Sequence, residues 1–223
     1  IGARLAELGH EVWIGTRDPK ATLASTESGP YGDPPFAVWR HEHPDVALGT
    51  FVEVAEAGEL IVNATNGAAS IEALRTAGEE HLDGKVLIDI SNPLDVSGGM
   101  SPSLFVSNTD SLGEQIQRAF PAVRVVKALN TMNAFVMAHP SSVGAGEHTV
   151  FVSGNDEEAK AQVTELLRAF GWRASGRSAR CSCRPDDAGR SRCASRPSGR
   201  PRCRSCARSR ARRSRAASAG SCP

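Results

Sequence analysis

Hydrophobic and polar positions follow two alternating spacings through residues 1–173. Short β-branched runs predict strands, which are EVWIG, ELIVNAT, KVLIDIS, VRVVKAL and HTVFVSG. Stretches with apolar residues three and four apart predict helices between them, for example IGARLAELGH and DEEAKAQVTELLRAFG. Strands that alternate with helices predict an α/β fold, in which helices cover both faces of a doubly wound parallel sheet.

Local signals refine two segments of this pattern. Residues 18–48 contain five prolines and little periodicity, so we expect a long loop there with at most a short helix or turn. The helix SLGEQIQRAF opens on Ser111, and Glu114 follows three residues later. This spacing predicts a capping box, in which each side chain satisfies a free backbone N–H at the start of the helix.

Residues 174–223 have a different composition from the rest of the chain. They contain fourteen arginines, two aspartates and all six cysteines, but no Leu, Ile, Val, Met, Phe, Trp or Tyr. Such a segment cannot bury enough apolar surface to offset the entropy of ordering its backbone. We therefore predict one folded domain over residues 1–173 and a disordered tail over residues 174–223.

Three interpretations of the tail remain open. Its arginines suit nucleic-acid phosphates, but it has no aromatic side chain on which a base would stack. Its cysteine pairs suggest zinc, but their spacing matches no familiar motif and no apolar residue would pack around the metal. We favour out-of-frame translation of a GC-rich gene, because all fourteen basic residues are arginine and the change of composition is abrupt. Nucleic acid is accordingly not an expected partner.

The folded part has its own charge and redox character. Residues 1–173 hold 12 of the 26 basic residues and 23 of the 25 acidic residues, and they contain no cysteine. A cysteine-free domain suits the reducing cytoplasm. We expect no membrane span, since the chain has no run of eighteen apolar residues. The chain begins at Ile1, already within a helical pattern, so we expect its native N-terminus to lie upstream.

Polar turns follow four of the predicted strands. They read GTRD, NATNG, ISNPLD and KALNTMN. In a doubly wound sheet, ligands bind beyond the carboxyl ends of the strands, where these turns lie. Amide, hydroxyl and glycine residues at four consecutive turns predict hydrogen bonds to a ligand at this edge, although the same residues also occur as ordinary loop formers and helix caps.

The first of these turns indicates which ligand binds. In a Rossmann-like dinucleotide site, an acidic residue after the second strand binds the ribose of NAD. This chain has Thr16 and Arg17 there, and a guanidinium with a hydroxyl suits the 2′-phosphate of NADP. The glycine-rich phosphate turn, G-x-G-x-x-G, is not in the sequence, and Gly2 alone does not replace it. We expect that the domain lacks its first strand and this turn.

Five segments together resemble the NADPH-dependent F420 reductase family (F420-dependent NADP oxidoreductases). They are LGHEVWIGTRDP, VNATNGAAS, VLIDISNPLD, VVKALNTMNA and VFVSGNDEEAK, in this order. The nucleotide domain of that family is shared with the N-terminal domain of pyrroline-5-carboxylate reductases. Intact relatives begin with a strand and a glycine-rich turn, and continue beyond the FGW segment into aliphatic helices that shape the substrate side and a homodimer contact.

The resemblance implies a set of cofactor-binding residues. Thr16 and Arg17 would hold the 2′-phosphate. Three residues, Asn63, Ala64 and Thr65, would lie along the ribose and pyrophosphate. The nicotinamide would lie near two further groups, which are Ser91, Asn92 and Pro93, and Ala128, Leu129 and Asn130.

The resemblance also implies the reaction, which is direct hydride transfer between NADP(H) and a small-molecule acceptor, the deazaflavin coenzyme F420. Such a transfer needs no protein nucleophile and no metal, so we assign no catalytic residue. The acceptor of related chains can also be a flavin, an imine or a ferric chelate. The alternative function is a non-catalytic NADP-binding module or an inactive fragment, with a tail that binds nucleic acid non-specifically.

Three other positions carry chemistry that we interpret as structural. His41 and His43 have no third ligand at a recognisable spacing, so we expect no metal site there. Lys127 ends an apolar strand, and we expect its ammonium to reach water. Asp89 is a carboxylate within an apolar strand, where capping a neighbouring turn is the favoured role over catalysis.

Overall fold

The computed structural model describes residues 1–29, 32–99, 102–144 and 147–175. Of the predicted tail it describes Ala174 and Ser175, whose backbones continue a strand that begins at Arg173. The interpretations made for the rest of the tail lie outside the described residues.

Helices and strands alternate along the described chain. The helices are α1 (Gly2–Glu7), α2 (Pro19–Ala24), α3 (Phe36–Glu42), α4 (Phe51–Ala57), α5 (Ser70–Ala77), α6 (Glu79–Leu82), α7 (Leu112–Ala119), α8 (Ala134–Ala138) and α9 (Glu157–Ala169). The strands are β1 (Val12–Thr16), β2 (Val46–Thr50), β3 (Leu60–Asn63), β4 (Val86–Asp89), β5 (Leu94–Asp95), β6 (Ser103–Leu104), β7 (Arg124–Ala128), β8 (Thr149–Gly154) and β9 (Arg173–Ser175).

The largest sheet has the strand order β3-β4-β7-β8-β9. Strands β3, β4 and β7 are parallel, which confirms the predicted α/β fold with a doubly wound parallel sheet. Strand β8 runs antiparallel to β7, and β9 is parallel to β8, so the far side of the sheet is mixed rather than purely parallel. A mixed edge of this kind is common on otherwise parallel sheets.

Strands β1 and β2 form a separate parallel pair, in which Thr16 lies beside Thr50. Among the described residues, no strand pairing joins β1 to β3. Helix α1 bridges the two parts, because it contacts β1 while Ile1, Leu5 and Leu8 pack on the core of the larger sheet.

The core lies on both faces of β4 and β7. Val86 and Ile88 of β4 belong to one apolar cluster with Val163 and Leu167 of α9. Leu87 lies on the opposite face, in a second cluster with residues of α4, α5 and α7 that include Ile116. Because successive side chains of a strand point to opposite faces, one apolar run fills both layers.

The predicted loop over residues 18–48 is partly wrong. The structure has α2 and α3 within it, and β2 begins at its end, at Val46. Asp18 starts α2 by accepting hydrogen bonds from two backbone N–H groups, and Pro19 occupies the first helical position. Strand β2 has few β-branched residues and contains Gly49, so its sequence carries a weak strand signal.

Candidate functional site

Three polar residues form a row across the carboxyl ends of the central strands. Asn63 of β3 lies beside Asp89 of β4, and Asp89 lies beside Lys127 of β7. The Asn63 amide donates to Oδ1 of Asp89 at 3.0 Å, and Nζ of Lys127 donates to Oδ2 of Asp89 at 2.7 Å. The row therefore links the ends of three adjacent strands by side-chain hydrogen bonds.

Asp89 is the centre of this row and is fully buried. Its carboxylate also accepts from the backbone N–H of Ser91 at 3.1 Å and from the Ser91 hydroxyl at 2.6 Å. Three of the four hydrogen bonds go to Oδ1 of Asp89 and one goes to Oδ2, so both oxygens of the buried carboxylate have a donor. Lys127 donates as well to the backbone carbonyl of Ser91. This arrangement fits the prediction that Asp89 caps a neighbouring turn. The prediction that Lys127 reaches for water did not foresee its contacts with the Asp89 carboxylate and the Ser91 carbonyl.

The turn after β3 extends the same network. Oδ1 of Asn63 accepts from the Thr65 hydroxyl at 2.7 Å, and Nδ2 of Asn63 donates to the hydroxyl of buried Ser70 at 3.1 Å. Ser70 donates in turn to the backbone carbonyl of Asn66 at 3.3 Å. These bonds fix the backbone of residues 63–66, while the side chain of Ala64 stays exposed.

The turns after β4 and β7 are joined by a pair of asparagines. The Asn92 amide donates to the backbone carbonyl of Asn130 at 2.7 Å, and the Asn130 amide donates to Oδ1 of Asn92 at 3.1 Å. Gly67, in the turn after β3, lies directly against the backbone of Asn92. A methyl group on the Gly67 Cα would lie 2.0 Å from the Asn92 carbonyl oxygen. Only a glycine permits this approach.

Leu129 has an unusual backbone conformation between these groups. Its φ is +63°, in the left-handed region that side chains other than glycine rarely adopt, and its side chain is buried. Such a conformation costs roughly 1–2 kcal/mol and persists where the surroundings impose it. Strained residues of this kind cluster at ligand sites, which makes the turn after β7 a candidate for ligand contact.

The turn after β1 stands apart from this network. The Thr16 hydroxyl lies 2.7 Å from the Thr22 hydroxyl, and the carboxylate of Asp18 is engaged by the backbone N–H groups of Lys20 and Ala21. Arg17 is exposed and has no hydrogen-bond or ion-pair partner among the described residues. A guanidinium left in this state is available to an anion.

The structure brings the predicted site residues together in two groups. One group follows β3, β4 and β7 and consists of Asn63, Ala64, Thr65, Ser91, Asn92, Pro93, Ala128, Leu129 and Asn130. The other consists of Thr16 and Arg17 at the end of β1. Among the described residues, no hydrogen bond connects the two groups.

The sequence analysis missed several residues at this edge. Thr50 ends β2 beside Thr16 and begins α4 with a full capping box, in which Glu53 accepts from the Thr50 backbone N–H at 2.7 Å. Hydrogen bonds from the Thr50 backbone and hydroxyl lower the pKa of Glu53. The spacing of Thr50 and Glu53 is the signal that could have located this turn. Gly67 gave no such signal, since its role depends on a carbonyl 25 residues away.

One of the two histidines weighed as metal ligands, His43, has contacts within α3 and at its end. The ring of His43 stacks on Trp39 with a centroid separation of 4.3 Å, and Nδ1 of His43 lies 2.8 Å from the Trp39 backbone carbonyl. Within the described ranges, no group of three or more His, Cys, Asp or Glu side chains is placed to hold a metal ion. In the same ranges, no helix is long and apolar enough to cross a membrane.

Parallel strands that alternate with helices, and a polar edge at the carboxyl ends of those strands, define a Rossmann-like α/β fold. A solved structure of a candidate F420-dependent NADP reductase from Arthrobacter sp. FB24 is 59% identical to this chain, with a TM-score of 0.74. The match covers 78% of this chain and 76% of that one. This chain belongs to the F420-dependent NADP reductase family.

More distant proteins share parts of this likeness. A hypothetical protein from Sinorhizobium meliloti is 20% identical with a TM-score of 0.55, and the match covers 77% of this chain and 86% of that one, which shows a shared fold alone. The metalloreductase STEAP3 of Rattus norvegicus is 28% identical over 173 residues, or 77% of this chain. The chain spans 30% of the length of that curated relative. No protein-family model matches the chain.

Proposed function

We propose that this chain binds NADP(H) and transfers a hydride between it and a deazaflavin of the F420 type. The observation that carries the proposal is the exposed guanidinium of Arg17, which has no partner among the described residues and directly follows Thr16 at the end of β1. Within the described ranges no carboxylate forms an ion pair with it, and Oδ1 of the neighbouring Asp18 accepts hydrogen bonds from the start of α2. A guanidinium pairs with a phosphate through two parallel hydrogen bonds, which suits the 2′-phosphate that distinguishes NADP from NAD.

The second group of residues would hold the rest of the dinucleotide. Residues 63–65 would lie along the ribose and pyrophosphate, and residues 91–93 and 128–130 beside the nicotinamide. When bound, NADPH supplies the hydride, and the protein brings the two rings together and excludes water. The network at Asp89 supports a structural role for this carboxylate, since it is fully buried and accepts hydrogen bonds from Asn63, Ser91 and Lys127.

An apolar surface beside the Ser91–Pro93 turn supports a flat acceptor. Strands β5 and β6 form a hairpin directly after this turn, and Leu94 lies opposite Leu104 in it. Leu94, Leu104 and Val96 are 39%, 53% and 62% exposed. Exposed apolar groups next to a proposed nicotinamide site suit the ring system of a deazaflavin or flavin better than a charged or highly hydrated acceptor.

We also propose that a further parallel strand pairs with the free edges of β1 and β3. Each of these strands pairs on one side only within the described residues. Leu60, Ile61 and Val62 of β3 are only partly buried, although strands of parallel sheets are normally covered on both faces. A strand and a G-x-G-x-x-G turn at this place would bring backbone N–H groups to the pyrophosphate.

Binding of NADPH and NADH to Arg17→Asp tests the cofactor assignment. We expect the unaltered chain to prefer NADPH, and the variant to lose roughly 10- to 100-fold of its NADPH affinity with little change for NADH, since charge-assisted hydrogen bonds are lost. Arg168→Asp is a matched control, because Arg168 is also exposed and without a side-chain partner in the described part of the chain. A preference for NADH, or an equal loss for both nucleotides, contradicts the assignment.

The alternative function is NADP binding without catalysis, and the edges of β1 and β3 left unpaired among the described residues favour it if no further strand pairs with them. Anaerobic absorbance measurements of hydride transfer from NADPH to F420, and to a flavin, separate the two functions. The same assay on a chain extended ahead of Ile1 by five β-branched residues and a G-x-G-x-x-G turn tests the further strand. Tight NADPH binding without transfer in both chains supports the module. An extension that changes neither the melting temperature nor NADPH affinity contradicts the strand.

A further inference from the structure

The pairing of Asp89 with Lys127 is a buried ionic contact that the proposed hydride transfer does not use. The Asp89 side chain has no exposed surface, and 23% of the Lys127 side chain is exposed. Burying a carboxylate and an ammonium costs free energy that their attraction repays only with good geometry and further hydrogen bonds. Such a pair at the edge of a proposed ligand site therefore requires an explanation beyond stability.

Lys127 occupies a position that connects two turns. Its Nζ contacts both the Asp89 carboxylate and the backbone carbonyl of Ser91, which lies two residues beyond the end of β4. Lys127 is followed directly by Ala128, the last residue of β7. One side chain thus ties the start of one turn to the strand that leads into the other.

A second link joins the same turns at their outer ends. The reciprocal hydrogen bonds of Asn92 and Asn130 span them, so the two turns are fixed relative to one another at two points. Gly113 of α7 lies over the inner link, and a methyl group on it would be 3.9 Å from both the Asp89 carboxylate and the Lys127 chain. The protein's own contacts therefore set the spacing of the two turns.

We propose that Lys127 is a positioning residue for the nicotinamide half of NADP(H). Through Asp89 and the Ser91 carbonyl it holds residues 91–93 and 128–130 at the separation that the ring requires. The inference rests on the proposed function and deepens it. In this proposal the Asp89–Lys127 pair orients the nicotinamide, and the turn at Arg17 recognises the 2′-phosphate.

The test compares a whole dinucleotide with a fragment that lacks the nicotinamide. Adenosine 2′,5′-bisphosphate has the 2′-phosphate end alone, and NADPH has both ends. The variant is Asp89→Asn with Lys127→Met, in which both charges are removed so that neither remains buried and unpaired. The amide introduced at position 89 retains an oxygen for the donors at Asn63 and Ser91. Lys127→Arg tests whether another cation restores the function.

Lys85→Met is the matched control for the loss of a lysine. Nζ of Lys85 donates to the backbone carbonyl of Ala55 at 2.6 Å, and the residue precedes β4 at the opposite end of that strand from Asp89. This control therefore removes a comparable lysine contact away from the carboxyl edge. Urea unfolding of all variants checks whether each one is folded under the binding conditions.

Isothermal titration gives the affinities, and the F420 assay gives kcat and KM. We expect the double variant to bind the bisphosphate within about twofold of the unaltered chain but to lose roughly five- to tenfold of its NADPH affinity. We expect kcat to fall by roughly 10- to 100-fold, since small displacements of a reacting group have effects of this size. Partial recovery in Lys127→Arg, with Lys85→Met unchanged, supports the inference.

Two results overturn it. Equal weakening of both ligands means that the pair supports the fold in general, and unchanged NADPH affinity and kcat mean that it positions nothing. Failure of the unaltered chain to bind the bisphosphate is a different result, because it contradicts the proposed function before any variant is compared. The inference then falls with that function.

Discussion

Asn92 and Asn130 exchange hydrogen bonds across the carboxyl ends of β4 and β7, at 2.7 and 3.1 Å. The Asn130 amide donates to a side-chain oxygen and the Asn92 amide to a backbone oxygen, so each asparagine must provide an N–H. A carboxylate at either position would place two acceptors against each other. Replacing either amide nitrogen with an oxygen, as Asn→Asp does, would therefore disrupt the pair.

Asn130→Asp should therefore destabilise the protein by about 1–3 kcal/mol, because a partly buried acceptor loses its donor. Urea unfolding monitored by circular dichroism measures the change. Asn108→Asp is the control, since Asn108 is exposed and its amide has a single side-chain hydrogen bond among the described residues, to the Ser107 hydroxyl at 3.3 Å. Equal stability of the two variants would contradict the importance of the Asn92–Asn130 pair.

Gly67→Ala should destabilise the protein by roughly 1–3 kcal/mol, the usual range for overpacking. The new methyl group would meet the Asn92 carbonyl at 2.0 Å, so the turn after β4 has to move. NADPH affinity should fall with it. Gly98→Ala adds the same methyl group where no heavy atom lies within 4 Å, and it should leave both quantities unchanged.

Leu129→Gly and Leu129→Ala should show an inverted order of stability. Both remove a buried side chain, but the alanine retains the cost of a φ of +63° whereas glycine adopts this conformation freely. The glycine variant should therefore be more stable than the alanine variant by about 1 kcal/mol in thermal or urea unfolding. The usual order, with alanine the more stable, would show that the turn relaxes when the leucine is removed.

Asp156→Asn should lower stability at neutral pH and have little effect near pH 2. Hydrogen bonds from the Arg124 guanidinium, and next from the Ala159 backbone, lower the Asp156 pKa to about 2. Because the pKa in the folded chain lies below the ordinary value of 3.8, the carboxylate stabilises the fold above that value. Its contribution is lost as the pH falls through about 2.

Urea unfolding of both chains between pH 7 and pH 2 checks this expectation. The difference in unfolding free energy should be constant down to about pH 5 and then shrink. Arg124→Met should remove most of the same pH dependence, because the guanidinium is the main cause of the lowered pKa. A difference that grows towards acid would contradict the assignment.

The sequence was most informative for elements that form because of their own local pattern of apolar and polar residues. Alternation of apolar runs and helical spacing predicted β1, β3, β4, β7 and β8, and the arrangement of β3, β4 and β7 is the predicted parallel one. The prediction of a capping box at Ser111 holds in part. The Ser111 hydroxyl accepts from the backbone N–H of Glu114, but the Ser111 backbone N–H donates to Asp110 instead of Glu114.

Features that depend on distant residues were beyond reach of the sequence. The direction of β8 follows from its connection and packing rather than from its own residues. The role of Lys127 depends on a carboxylate 38 positions earlier, and that of Gly67 on a carbonyl in another turn. Strand β2 was missed because its few β-branched residues and its glycine resemble a loop. It forms a strand through its pairing with β1, which the sequence of β2 alone does not reveal.

The unpaired edges of β1 and β3 belong to the two strands that carry opposite ends of the proposed cofactor site. The separation of β1 and β3 sets the distance from the guanidinium at position 17 to the amides at positions 92 and 130. A dinucleotide has a limited reach, so this distance can decide affinity even when every contact residue is kept. Spacing is thus a property of the domain that can be engineered separately from its side chains.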